Sequence, residues 1–158
     1  MKIIFLDIDE VLNSKKYKLK IGSKFDDPRY QIDPDAVKLL NAIVVATKAN
    51  IVISSTWRNA FTKSANALEK IKNYFAEFGI LNVIDYTPQI FYTDETESYS
   101  FRTDEIKEWL KDKSDVNFIV LDDIDMKSEF GDRMIQTFED NGLQQYHVDK
   151  AIKILNKI

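Results

Sequence analysis

Residues 1–13 read MKIIFLDIDEVLN. Ile3 to Leu6 form an apolar run, Asp7 ends it, Asp9 follows two residues later, and Val11-Leu12 resume the apolar pattern. A short apolar run closed by acids predicts a buried parallel strand. Such a strand delivers its last residues to the carboxyl edge of an open α/β sheet, where these sheets bind their ligands. Residues two apart in extended chain point the same way, so Asp7 and Asp9 are expected to face one site. Two neighbouring carboxylates repel unless a cation or a shared proton compensates. The pair is therefore a candidate for binding a hard divalent cation such as Mg²⁺ and for presenting one carboxylate as a nucleophile.

Two later apolar runs end in the same manner. Ile51-Val52-Ile53 is closed by Ser54-Ser55-Thr56-Trp57-Arg58, and Val116 to Leu121 by Asp122-Asp123-Ile124-Asp125. Helical patterns lie between them. Asp33-Pro34 is a helix start, a capping carboxylate followed by a proline that suits the first turn. Val37, Leu40, Ile43, Val44 and Thr47 follow at helical spacing, with Leu39 and Val45 widening the apolar face. Phe61, Ala65, Leu68, Ile71, Phe75 and Phe78 predict a second helix ended by Gly79. Ile80 to Tyr86 leads back toward the sheet, Thr87-Pro88 marks a turn, and the polar tract Thr93 to Ser100 reads as an exposed loop. Arg102-Thr103-Asp104-Glu105 opens a third helix with Ile106, Trp109 and Leu110 inward. Ile135 to Phe138 is a short strand, Gly142 breaks the chain, and Val148, Ala151, Ile152 and Leu155 stripe a C-terminal helix. Strands alternating with helices predict a parallel sheet in a three-layer α/β/α sandwich. The ends of its strands gather Asp7, Asp9, Ser54, Ser55, Asp122 and Asp123 along one edge.

The composition agrees with this reading and removes others. At 158 residues and 44% hydrophobic content, the expectation is one domain over 1–158 with a sizeable core. No apolar run approaches the ~20 residues of a membrane span, and the N-terminus reads as a strand, not a secretory signal. Without cysteine there are no disulfide staples or thiolate metal sites, and cytoplasm is the default setting. A net charge of −4 argues against a nonspecific nucleic-acid coat while allowing one phosphate in one pocket. None of the 4 glycines sits in a G-x-G-x-x-G or Walker loop, which argues against a P-loop kinase.

Asp7-Ile8-Asp9-Glu10-Val11-Leu12 resembles the first motif of the haloacid dehalogenase (HAD) superfamily, Asp-x-Asp-x-(Thr/Val)-(Leu/Val). Together with Ser54-Ser55-Thr56-Trp57-Arg58, Thr87-Pro88, the Arg102 helix, Leu121-Asp122-Asp123-Ile124-Asp125-Met126 and Gly142-Leu143, it is similar to small, nearly capless HAD domains. Some of these accompany RNA-repair enzymes, and they are similar to the phosphatase half of polynucleotide kinase-phosphatases. The resemblance implies a Rossmann-like HAD fold with a minimal cap. A short flap at about 13–32 would stand over the site, made basic by Lys15, Lys16, Lys18, Lys20 and Lys24. That flap either attracts an anionic substrate or is a solvated hairpin.

The same resemblance assigns roles. Asp7 would attack phosphorus, and Asp9 would act as general acid and then base. Because Asp9 is present, phosphate-ester hydrolysis or transfer is favoured over halide removal. Glu10 stands where many members carry glycine or another small residue. Ser55, with Ser54 as alternate, would hold a phosphoryl oxygen. Trp57 can stack on a base and Arg58 can grip phosphate in a bidentate fork, or the two can simply pack and pair with an acid. Arg102 stands at the place of the third-motif lysine, with Lys107 one turn on as fallback. Asp122-Asp123 matches the fourth motif, and Asp125 is a candidate outer ligand. Mg²⁺ would be held by the Asp7 carboxylate, the Asp9 carbonyl and one acid of that pair. His147, the only histidine, reads as structural or exposed. The expected activity is Mg²⁺-dependent hydrolysis of a phosphomonoester, with a nucleotide or nucleic-acid end as substrate. The alternatives are a catalytically weak phosphate- or partner-binding module, or a phosphotransferase.

Overall fold

Strand β1 (Lys2–Leu6) is the middle of the sheet, and its alternating side chains create both halves of the core. Ile4 and Leu6 face one side and Ile3 and Phe5 the other, all fully buried. The computed structural model describes residues 1–90 and 101–157. The tract Thr93 to Ser100, expected as an exposed loop, lies outside the described residues.

In chain order the elements are β1, α1 (Lys15–Ile21), α2 (Pro34–Thr47), β2 (Asn50–Ile53), α3 (Ala67–Glu77), β3 (Val83–Tyr86), α4 (Phe101–Leu110), β4 (Asn117–Asp122), α5 (Lys127–Phe130), β5 (Met134–Gln136) and α6 (Gln145–Leu155). Among the described residues the sheet has five strands, all parallel, in the order β3-β2-β1-β4-β5. From α2, α3 and α6, the side chains Val37, Leu40, Ile43, Ile71, Phe75, Val148 and Leu155 pack on Ile4, Leu6, Ile51, Ile53, Ile119 and Leu121. On the opposite face, Ile106 and Trp109 of α4 and Phe130 of α5 cover Ile3, Phe5, Val52 and Val120. These three layers are the expected sandwich. No helix among the described residues is long and apolar enough to cross a membrane.

The sheet order makes a crevice. The chain runs from β1 outward to β2 and β3 and then crosses back to β4, so the connections leaving β1 and β4 part to opposite sides, the place where open α/β sheets bind ligands. The ladder also continues one residue past the strands. Asp7 N–H donates to Leu121 O (2.9 Å), Ser54 N–H to Leu6 O (2.8 Å), Thr87 N–H to Ile53 O (2.9 Å) and Thr137 N–H to Asp122 O (2.9 Å). These bonds fix the first residues beyond the strands in one rank along the carboxyl edge.

Three expectations need correction. The flap is a helix, α1, followed by two short 3₁₀ turns, not a hairpin. Ser14 caps α1 through its hydroxyl, and the buried Tyr17 ties it down by donating to Tyr30 O and Ile32 O. The second helix does not begin at Phe61. Asn66 takes a left-handed φ of 61°, so a 3₁₀ turn at Thr56–Ala60 and an irregular stretch precede α3. Val45, read as apolar face, is 60% exposed.

Candidate active site

The first group on the edge is a pair of buried carboxylates bridged by one guanidinium. Asp7 directly follows β1 and Asp122 ends β4, adjacent parallel strands paired through Leu6 and Leu121. Arg102, near the start of α4, places Nη1 2.7 Å from Asp7 Oδ2 and 2.7 Å from Asp122 Oδ2. Carboxylate oxygens of Asp7, Asp122 and Asp123 lie within 4.8 Å of one another. Loss of water raises the Asp7 carboxyl above its ordinary value, and the Arg102 charge and a Ser55 hydrogen bond oppose the rise. Asp122, desolvated and facing Asp7, is pushed up to about 7 even with Arg102 beside it. Burial works against the charge of Arg102, but the two carboxylates outweigh it and hold the guanidinium above its ordinary value. One cation between two buried acids, with a third acid at the rim, leaves negative charge uncompensated. Hard oxygen donors in that state suit Mg²⁺.

Asp9 is held separately from this cluster. Its Oδ1 accepts from Asn13 Nδ2 (2.8 Å) and its Oδ2 from Trp57 Nε1 (2.8 Å). Asn13 is fully buried, and its own Oδ1 accepts the Glu10 N–H (2.9 Å), so the turn after β1 is closed through a single side chain. Glu10 sits in that turn at φ 58°, a left-handed conformation that glycine takes without strain. Its carboxylate is tied to Lys18 of α1 at 2.7 Å.

The end of β2 distinguishes the two serines. The Ser55 hydroxyl accepts the Trp57 N–H (3.4 Å) and stands near enough to Asp7 to lower its carboxyl, whereas the buried Ser54 hydroxyl has no partner among the described residues. Arg58 is not offered to a phosphate. It is buried, its Nη2 is 2.6 Å from Glu105 Oε2, and its Nη1 donates to Ser55 O (2.6 Å). Burial pulls the Arg58 guanidinium down from its ordinary value, with Glu105 opposing. The bland sequence reading of Arg58, a paired structural charge, matches this geometry. It locks the loop carrying Ser55 to the helix carrying Arg102. Trp57 has its N–H on Asp9 and its half-buried ring against the core.

The remaining candidates lie away from the cluster. Lys107 pairs with Glu129, so Arg102 is the cation against Asp7. Lys15 and Lys16 are exposed, their N–H groups bonded to Glu139 O and Asp140 O, with the Lys15 ammonium 4.0 Å from Asp140. Asp125 is exposed and accepts the Lys127 N–H through Oδ1 in the turn before α5 instead of joining the acids. His147 is structural: Nδ1 accepts the Gln144 N–H at the start of α6.

Sequence reasoning missed Asn13 and Glu105. Asn13 carried a signal, an amide four residues beyond an acid at a strand end. Glu105 carried none, because its partner is 47 residues away.

The family described as "HAD domain in Swiss Army Knife RNA repair proteins" matches residues 3–148. No curated protein and no solved structure matches the chain.

Proposed function

Since the chain belongs to the HAD domain family of Swiss Army Knife RNA repair proteins, we propose that it is a Mg²⁺-dependent phosphomonoesterase acting through a phosphorylated Asp7, on a nucleotide or nucleic-acid end. The observation that carries the reading is the Arg102 bridge between Asp7 and Asp122, with Asp123 in reach and Ser55 near Asp7. The family's repair context supports the substrate class. The cytoplasm, where such ends occur, is the setting this reading assigns.

In the proposed reaction an Asp7 oxygen attacks phosphorus while the bond to the leaving oxygen breaks. Asp9, as general acid, gives a proton to that oxygen. The product is an acyl phosphate on Asp7. Asp9, now a carboxylate, takes a proton from water, which attacks phosphorus, releases phosphate and restores Asp7. Ser55 donates to a phosphoryl oxygen, and Arg102 supplies fixed positive charge where negative charge moves. The Asp7, Asp122 and Asp123 side chains with the Asp9 carbonyl would hold Mg²⁺, which when bound supplies further positive charge against the phosphoryl oxygens. Trp57 and Asn13 keep Asp9 in place throughout.

Asp7→Asn tests the assignment: hydrolysis of 4-nitrophenyl phosphate with Mg²⁺ should vanish while the fold persists, and unchanged turnover refutes it. A panel of 3′- and 5′-phosphorylated oligonucleotides, mononucleotides and sugar phosphates then finds the preferred ester. A second reading, a phosphate-binding module with weak turnover, draws on one feature: Arg102 already engages Asp7 Oδ2, the kind of oxygen that must attack. Binding of phosphate esters without turnover across that panel would favour it.

A further inference from the structure

Past the end of β2, at Trp57, lies a groove walled by aromatic rings. Its cavity of about 320 Å³ is lined by Gln31, Trp57, Ala60, Phe61 and Tyr74. The Phe61 and Tyr74 ring centroids are 5.2 Å apart, and those of Trp57 and Tyr74 are 6.4 Å apart. All three rings are only half-buried, unlike Phe5 or Phe75, which vanish into the core. Their inner sides pack against the core, and the part left open is aromatic surface that a flat ligand can cover.

The groove is continuous with the chemistry because both share Trp57. Its N–H fixes the ring to Asp9 Oδ2, so the aromatic wall stands at a set distance from the carboxylate that protonates the leaving oxygen. Asp9 follows Asp7 by two residues and is joined to the groove wall through Trp57. A substrate with its phosphoryl group at Asp7 therefore sends its leaving group past Asp9 toward the rings. We propose that this groove is the subsite for the nucleobase of the leaving group, the base stacking among Trp57, Phe61 and Tyr74.

A base fits better than other flat ligands. In an aryl phosphate the ring is joined directly to the reacting oxygen and would sit beside Asp9, short of the groove. A nucleotide interposes its sugar there and carries the ring further. Gln31, from the end of the flap, brings an amide with both donors and an acceptor to a groove that is otherwise apolar, which suits the polar rim of a base. Stacking on aromatic faces tolerates every base, so the subsite selects for a base without reading its identity.

This proposal rests on the phosphomonoesterase reading, and its test separates the two. The full chain, Phe61→Ala and Tyr74→Leu are assayed with Mg²⁺ on glycerol phosphate, a nucleoside monophosphate and an end-phosphorylated dinucleotide. Neither Phe61 nor Tyr74 touches the carboxylates. The unsubstituted chain should favour the base-bearing esters in kcat/KM, and each variant should lose about tenfold on these while glycerol phosphate turnover stays unchanged. Equal losses on all esters, or none, would overturn the subsite. In parallel, calorimetry with an unphosphorylated nucleoside should detect binding to the chain and its loss in Phe61→Ala. Nucleoside binding without hydrolysis of any ester would uphold the groove and sink the phosphatase; hydrolysis without nucleoside binding or base preference would do the reverse. A dinucleotide turned over better than the monophosphate identifies a nucleic-acid end as the source of the base.

Discussion

Trp57 Nε1 donates to Asp9 Oδ2 across 2.8 Å, joining residues 48 positions apart in sequence. With Asn13 on the other oxygen, the Asp9 carboxyl has no freedom to swing, and a proton donor gains most when its position is fixed before the reaction.

Trp57→Phe keeps the ring and removes the N–H. Turnover of alkyl phosphates, whose leaving oxygen must be protonated, should fall by about tenfold or more. 4-Nitrophenyl phosphate, whose phenolate leaves without that proton, should fall much less. Steady-state kcat on both esters checks this. A uniform loss would mean that the hydrogen bond only stabilises the fold.

Arg58→Ala should destabilise the chain by about 3–5 kcal/mol, because Glu105 would remain buried without its cation. Urea unfolding measures the loss, and adding Glu105→Ala should recover part of it. A stable variant with only a raised KM would make Arg58 a substrate ligand after all.

The acids predict how metal-free stability varies with pH. Asp122 is raised to about 7 and Asp7 is raised as well, so the folded chain binds these protons more tightly than the unfolded chain does. That contribution is complete below the ordinary carboxylate range near about 4 and is lost as pH rises through about 7. Metal-free protein should therefore melt higher at pH 5.5 than at pH 8, by about 2–4 °C for each kcal/mol involved. Mg²⁺ should stabilise most at the higher pH, where the acids are ionised. Asp122→Asn should flatten the slope in thermal melts. A slope of opposite sign would refute the buried-acid account.

Gly142→Ala should destabilise by about 1–3 kcal/mol. Gly142 has φ 60°, and a Cβ there would stand 2.8 Å from Val11 O and 3.2 Å from Ser14 Cβ. Val11 O also accepts the Leu143 N–H, so the backbone next to Asn13 cannot easily retreat. Thermal melting reads the loss, and an unchanged melting point would show that the contact can relax.

The ends of the buried strands were legible because a run such as Ile3 to Leu6 or Val116 to Leu121 followed by acids has few other physical solutions. Once the sheet is parallel, its ends must meet, and Asp7, Ser55 and Asp122 follow from that. Arg102 came from the resemblance, which puts a third-motif cation near the start of that helix. What escaped was decided by distant partners. Arg58 reads the same whether it grips phosphate or Glu105, and only the fold brings Glu105 to it. Trp57 advertised its ring, while its N–H decides how Asp9 is held. The flap helix offers one buried anchor, Tyr17, among lysines, too little for a period to appear. The late start of α3 turns on Asn66 adopting a left-handed conformation that the surrounding spacing does not disclose.

The central claim is that the Asp7 oxygen itself becomes bonded to phosphorus. Rapid quenching during turnover with Mg²⁺, reduction by borohydride and peptide mass mapping test it directly. The account predicts a reduced side chain at position 7 alone, formed only when substrate is present. Phosphate release with position 7 unmodified, or modification at another residue, would contradict it.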